Sequence, residues 1–237
     1  MRPHLTFALV APLAAFGELA LGEIRPSQAR PTRSGLLGLV AACLGVERSD
    51  EAAHLEIERC FGLGVLTLAP GRMSVDYHTV QFRVPGASSL TTRITRRQYR
   101  EDVWHLGALW EREASPWSLE QVAEAMRRPV FAPYLGRACC PLALPLAPRI
   151  IQVPNAEVAL KERAQTGPEN TVLSGRRGKR LLDVYAGGEK HQTLALDEAD
   201  AASLTLSGRV EQRLDALRSR VRRQYDSRAE FVAEIPR

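Results

Sequence analysis

Two stretches of the chain carry residues that could do chemistry. The first, residues 25–35 (RPSQARPTRSG), holds Arg25, Arg30 and Arg33 just ahead of a small-residue helix start. Guanidinium groups are planar, permanently charged forks that suit phosphate contacts and stacking on bases. A helix N-terminus beside them adds free N–H groups and the positive end of the macrodipole. Thr32, Ser34 and the Gly35 amide would add neutral donors, so the natural ligand is a phosphate or a polyphosphate backbone. The second stretch is DYHTVQ (76–81). Tyr77 and His78, preceded by Asp76, have the types needed for metal-independent RNA cleavage, with histidine as base against a 2′-hydroxyl. Neighbours on a strand point to opposite faces, which favours a structural or RNA-contacting role for this pair.

A second basic run lies at 83–102, RVPGASSLTTRITRRQYRED, with Arg93, Arg96, Arg97 and Arg100 and no acid before Glu101. Tyr99 could stack on a base. Arg137 follows a glycine in YLGR and would either contact RNA or lock two parts of the chain through a carboxylate. Cys43, Cys60, Cys139 and Cys140 show no paired CxxC spacing, and no histidine completes a metal set. They read as reduced thiols. No cofactor is implied.

These residues need elements to hold them. Residues 4–10 read as a first strand, from the alternation of Leu5, Phe7 and Leu9. The apolar start resembles a leader, but Pro3, His4, Thr6 and Pro12 break it up, which points to a soluble, cytoplasmic protein. A helix is expected over 34–45, capped by Ser34 or by Thr32, with Gly38 packing it on a sheet. A short helix should follow at 51–59, then strands at 61–69 and 103–111, with 72–82 extended. The 83–102 run reads as a protruding hairpin or arm. Ser118 and Gln121 form a capping box for a helix within 115–129. Residues 130–148 are a proline-rich connector, 149–153 and 181–185 candidate strands, 161–180 a mobile polar loop, and 209–228 a basic, helix-compatible end.

The order strand, helix, strand, arm, strand, helix fits an α+β, ferredoxin-like (RRM-type) domain over 1–148, with a fourth strand still owed. Residues 149–237 would form a smaller, variable, β-rich region. The 237 residues carry a formal charge of +5, so the placement of charge matters more than its excess. All the basic residues except Lys161, Lys179 and Lys190 are arginine.

PTRSGLLGLVAACLGVERSD (31–50), DYHTVQ (76–81), TTRITRRQYRED (91–102) and PYLGRACCPLALPL (133–146) together resemble the CasD subunits of the type I-E CRISPR Cascade complex, in the RAMP superfamily. The resemblance spans about the first 150 residues. It implies a ferredoxin-like domain with a β-hairpin thumb. It also implies a non-catalytic subunit that holds the 5′ handle of the CRISPR RNA, caps the CasC backbone and adjoins the large CasA subunit. Target DNA would be met only through the complex, in antiviral defence, and no membrane is involved. RNA contacts would come from the 25–35 loop, Tyr77, His78, the arm and Arg137, some arm residues meeting protein instead. Related type I-C proteins cleave repeat RNA with tyrosine, lysine and histidine. Here no lysine precedes Lys161, and an endoribonuclease stands as the alternative.

Overall fold

A computed structural model describes residues 1–18, 20, 22–86, 88–174 and 191–236. The expected strand at 181–185 and the end of the expected 161–180 loop lie outside them. In chain order the elements are β1 (Arg2–Ala14), β2 (Ile24–Arg25), α1 (Arg33–Leu44), α2 (Glu51–Cys60), β3 (Phe61–Ala69), β4 (Arg72–Arg83) and β5 (Leu90–Glu111). Then come α3 (Leu119–Arg127), β6 (Arg149–Val153), α4 (Ala156–Thr166), α5 (Glu169–Ser174), β7 (His191–Asp197), α6 (Glu198–Ala201), β8 (Arg209–Ser219) and β9 (Gln224–Pro236).

One sheet runs in the order β6-β1-β5-β3-β7-β9-β8, antiparallel at every step. The first candidate strand of the C-terminal part, 149–153, thus sits at the N-terminal edge beside β1. β1 is apolar on both faces because both are covered. Leu5, Phe7 and Leu9 pack under α1, α2 and α3, while Ala8 and Val10 face α4. Burial on two faces turns a strand into a continuous apolar run, which is why this segment resembles a leader.

Strand β5 has two halves. Leu90–Glu101 pairs with β4 in a long hairpin, and the remainder crosses the sheet between β1 and β3. The pairing changes at Asp102, which adopts φ +59°. This left-handed backbone, which aspartate tolerates better than most residues, bends the strand where the hairpin leaves the sheet.

Two expectations fail for related reasons. Residues 161–166 and 169–174 are helical, parted by Gly167 and Pro168, and the Arg163–Glu169 pair that joins them is buried and matched. Arg163 donates to both Glu169 carboxylate oxygens at 2.9 and 2.7 Å and to the Ala147 carbonyl at 2.8 Å. Residues 209–228 form most of the β8–β9 hairpin, not a helix. In β8 the usual polarity is inverted: Arg213 and Asp215 point inward while Val210 and Leu214 are exposed. The inverted pattern hides its period of two from a hydrophobicity reading.

His105 lies fully buried in the sheet half of β5. Its Nδ1 is 3.0 Å from Thr67 Oγ1 and its ring meets Phe16 edge-on. Burial pushes its pKa from 6.5 down to about 3. The folded protein therefore holds it neutral where the unfolded chain would protonate it. Its contribution is complete above pH 6.5 and is lost as pH falls toward 3. In urea titrations across that window, His105→Gln should lose stability less steeply than wild type. Parallel pH curves for the two would remove His105 as a cause of acid sensitivity.

Candidate nucleic-acid interface

α1 begins with Arg33 at its first position and Thr32 as its N-cap, whose hydroxyl accepts from the Gly35 amide at 3.1 Å. Thr32, the alternative, is the cap, and Ser34 is already inside the helix. The anion expected at this N-terminus is supplied by the chain itself: the Arg33 amide donates to Asp215 Oδ2 at 2.8 Å.

The side chains of Arg30 and Arg33 also turn inward, so neither presents its guanidinium to a surface ligand. Arg33 is 4% exposed. It donates to Glu58 Oε1 and to the Glu58 and Phe61 carbonyls, each at 2.7 Å, and lies 3.1 Å from Asp197. Arg30 pairs with Glu211 and, at 2.6 Å, with Glu230. These pairs belong to a wider network. Arg228 reaches Asp197 and Asp215 at 2.7 Å and Glu230 at 2.6 Å, Arg213 reaches Glu230 at 3.2 Å, and Arg112 pairs with Asp197 and Asp200. Burial raises the Asp197 pKa, but the arginines around it outweigh that and hold its carboxyl below the usual range. The network ties the 30–33 segment and α1 to the C-terminal strands.

The hairpin arginines are sorted by strand geometry. Residues directly opposite on antiparallel strands share a face. Arg93 faces Val80, Thr95 faces His78, and Arg97 faces Asp76, so these side chains lie on one face. Tyr77 and Arg96 are paired on the other. On the first face Arg93 lies 5.5 Å from the Phe82 ring centroid, and His78 Nε2 sits 2.7 Å from Asp76 Oδ2. On the second face Met73, Val75, Tyr77 and Ile94 are exposed.

β2 extends the sheet on the other edge of the hairpin strand, with Arg25 beside Arg97 in parallel register. The Arg25 guanidinium donates from Nη1 to the Gly22 and Ile24 carbonyls at 2.7 and 3.1 Å. Its remaining N–H donors stay available.

Arg137 arrives from the proline-rich connector. The turn before it depends on Gly136, at φ +85°, where an added Cβ would sit 1.8 Å from the Ala15 carbonyl oxygen. Only glycine allows that approach. The turn is further fixed by the Ala15 amide on the Leu135 carbonyl at 3.0 Å. Arg137 then stacks on Tyr99, 4.4 Å from the ring centroid, and donates to the Gln98 and Arg25 carbonyls at 3.0 and 3.4 Å. It does not join the two halves of the chain through a carboxylate, as one expectation had it, but ties together segments of the N-terminal part through carbonyls and a ring. Tyr99 is 5% exposed and covered by Arg137, so it is no platform for a base. Arg100 is likewise engaged, donating to the Gln28 and Gly71 carbonyls at 3.2 and 3.5 Å.

The result is a groove of about 470 Å³ in which Arg25, Arg93, Arg97 and Arg137 converge over Val80 and Phe82. Glu23 is the acidic residue on its wall. Such a site combines cationic forks with an aromatic floor, as single-stranded nucleic acid requires. Sequence reasoning named its arginines but missed Val80 and Phe82. The period of two from His78 to Phe82 was the signal that could have found them. A second recess of about 500 Å³, lined by Met126, Leu142, Leu144 and Leu146 among prolines, carries Arg127 as its charged residue.

The chain belongs to a family of CRISPR-associated proteins: residues 4–229 match the family described as CRISPR-associated protein (Cas_Cas5). Within reach of that family, it is 35% identical over 173 residues to the CRISPR system Cascade subunit CasD of Escherichia coli (strain K12), covering 68% of this chain and 76% of that one. Its fold matches a chain of a CRISPR RNA-guided surveillance complex with a TM-score of 0.62 at 23% identity, over 98% of this chain and 91% of that one. It also matches a solved Cas protein with a TM-score of 0.53 at 22% identity, over 98% and 94% of the respective chains. Among the described residues no helix is long and apolar enough to cross a membrane.

Proposed function

We propose that this protein is a non-catalytic subunit of a type I-E Cascade complex that grips the 5′ handle of the CRISPR RNA in the groove between β2, the β4–β5 hairpin and Arg137. The observation that carries this reading is the convergence of Arg25, Arg93, Arg97 and Arg137 from three separated segments over one apolar floor. Thr32, Ser34 and Gly35 lie at the helix start and serve the grip as framework or by local contacts. The strand order β6-β1-β5-β3 supports a ferredoxin-like unit made from β1, α1, β3, β5, α3 and β6. In that unit the β4–β5 hairpin is the thumb, and the division into an N-terminal domain and a smaller C-terminal region moves from 148/149 to just after β6, because β6 pairs with β1. The outer thumb face, with Tyr77, Arg96 and exposed Met73, Val75 and Ile94, is apolar enough to meet a neighbouring subunit. The CasC backbone and the large CasA subunit are the partners, in the cytoplasm.

In this reading the chain does not cleave RNA, which is supported by Tyr77 and His78 lying on opposite faces of β4. In a Cascade assembled with CRISPR RNA carrying photoreactive uridines in the handle, crosslinks should map to 22–25, 80–82, 93–97 and 137. Crosslinks confined to the β8–β9 hairpin, or none to this chain, would overturn the assignment. Repeat RNA incubated with the purified chain in EDTA should stay intact, and cleavage abolished by His78→Ala would instead establish a ribonuclease.

A further inference from the structure

Cys139 and Cys140 are adjacent and free, with Sγ atoms 3.9 Å apart. Cys139 is exposed and Cys140 is fully buried. Cys139 Sγ also lies 3.8 Å from the Tyr99 hydroxyl, the ring on which Arg137 stacks. The two cysteines close the turn that holds Arg137: the Cys140 amide donates to the Arg137 carbonyl at 2.8 Å, and the Leu135 amide donates to the Cys140 carbonyl at 2.9 Å. A thiol pair is thus wired into the backbone that presents one of the four groove arginines.

We propose that Cys139 and Cys140 form a redox-sensitive vicinal dithiol, closed to a disulfide by a peroxide, and that closure releases Arg137 from the RNA groove. The chemistry balances with the peroxide as oxidant. The Cys139 thiolate attacks one peroxide oxygen, the O–O bond breaks, and sulfenic acid and water form. The Cys140 sulfur then attacks the Cys139 sulfur. The S–S bond forms, the S–O bond breaks, and the departing hydroxide leaves as water with the Cys140 proton. Two thiols and one peroxide give one disulfide and two waters. Burial pushes the Cys140 thiol up to about 12, so the exposed Cys139 meets peroxide first and Cys140 resolves the sulfenic acid by its proximity and not by its acidity.

Geometry makes the closure disruptive and reversible. A disulfide needs sulfurs about 2.05 Å apart and Cα atoms at least about 4.4 Å apart, whereas a trans peptide fixes neighbouring Cα atoms at about 3.8 Å. The ring therefore closes only by twisting the 139–140 peptide, and that peptide carries the amide bonded to Arg137. A strained disulfide is readily reduced, so the turn re-forms under thiol.

The consequence for RNA rests on the groove being the binding site, and the test separates the two. The reduced full-length chain is titrated with hydrogen peroxide and read three ways: peptide mapping for a Cys139–Cys140 link, limited trypsin cleavage after Arg137, and binding of a short single-stranded RNA. The link should form first at this pair, and cleavage after Arg137 should accelerate. RNA affinity should fall about fourfold at physiological salt, the value of one lost phosphate contact on a single strand. Dithiothreitol added before trypsin should remove the link, restore the slower cleavage and recover RNA affinity, and Cys139→Ser and Cys140→Ala should each be unresponsive. Peroxide that links other cysteines first, or a 139–140 link that leaves cleavage after Arg137 unchanged, would overturn the switch. Reduced protein that binds no RNA would remove the groove reading alone, because mapping and proteolysis still decide the dithiol.

Discussion

Replacing Arg33 with alanine should cost about 3–5 kcal/mol of folding stability, the usual loss when one partner of a buried charge pair is removed. The guanidinium is 4% exposed, and it donates to Glu58 Oε1 and to two backbone carbonyls at the end of α2. It also stands 3.1 Å from Asp197, which leans on Arg112 and Arg228 as well. Alanine would leave the carboxylate and carbonyls short of donors in a place water reaches poorly. Arg33→Lys should recover little, since one ammonium cannot span three acceptors held in a planar fan. The measurement is the urea midpoint at constant m-value. A loss below about 1 kcal/mol would mean that this network behaves as surface charge, and Arg33 would return to the pool of residues free to meet RNA.

That result would also explain what the sequence hid. Arg33 looks like a phosphate ligand because it sits with other arginines at a helix start, and the anion it would attract is indeed present. The Arg33 guanidinium meets Glu58 and Asp197, its amide meets Asp215 and Arg30 meets Glu230, the last two acids reaching the 30–33 segment from 182 and 200 residues away. No local pattern announces such a pair. The arm was legible in part: charge, threonine and the lack of a helical apolar stripe mark 83–102 as extended, but that run supplies only the second strand of the hairpin, and 72–83 is the first. Its faces were legible too, since a period of two already separates Arg93 and Arg97 from Arg96. Tyr99 misleads for a different reason: an aromatic in a basic run suggests a stacking platform, and only the docking of the Gly136 turn shows that Arg137 occupies the ring. Where apolar residues mark the buried surface, as in α1, β1 and the Ser118-capped α3, sequence and structure agree. They diverge at α4, α5 and β8, where buried ion pairs stand in for apolar contacts.

The largest functional effect should come from the groove. Arg93→Gln with Arg97→Gln removes two cations that share a face of the thumb and flank Thr95. Neither side chain has a buried carboxylate partner like those of Arg30 and Arg33, so the double variant should fold as wild type does. If each arginine meets one phosphate, the slope of log affinity against log salt for single-stranded RNA should flatten by about 1.4, which is roughly 15-fold at physiological salt. Arg96→Gln is the matched control. It removes the same charge from the same strand, but from the opposite face, so the field of the arm falls while the groove keeps its ligands. A groove that grips RNA loses affinity with the pair and keeps most of it with the control. Equal loss per charge from either face would mean diffuse attraction to a basic arm, with no defined seat for the strand. The distinction decides whether the thumb is a structural reader of the RNA path or only a source of positive potential. The apolar floor argues for the former: Phe82 and Val80 contribute nothing to attraction at a distance, and they matter only if bases come down onto them.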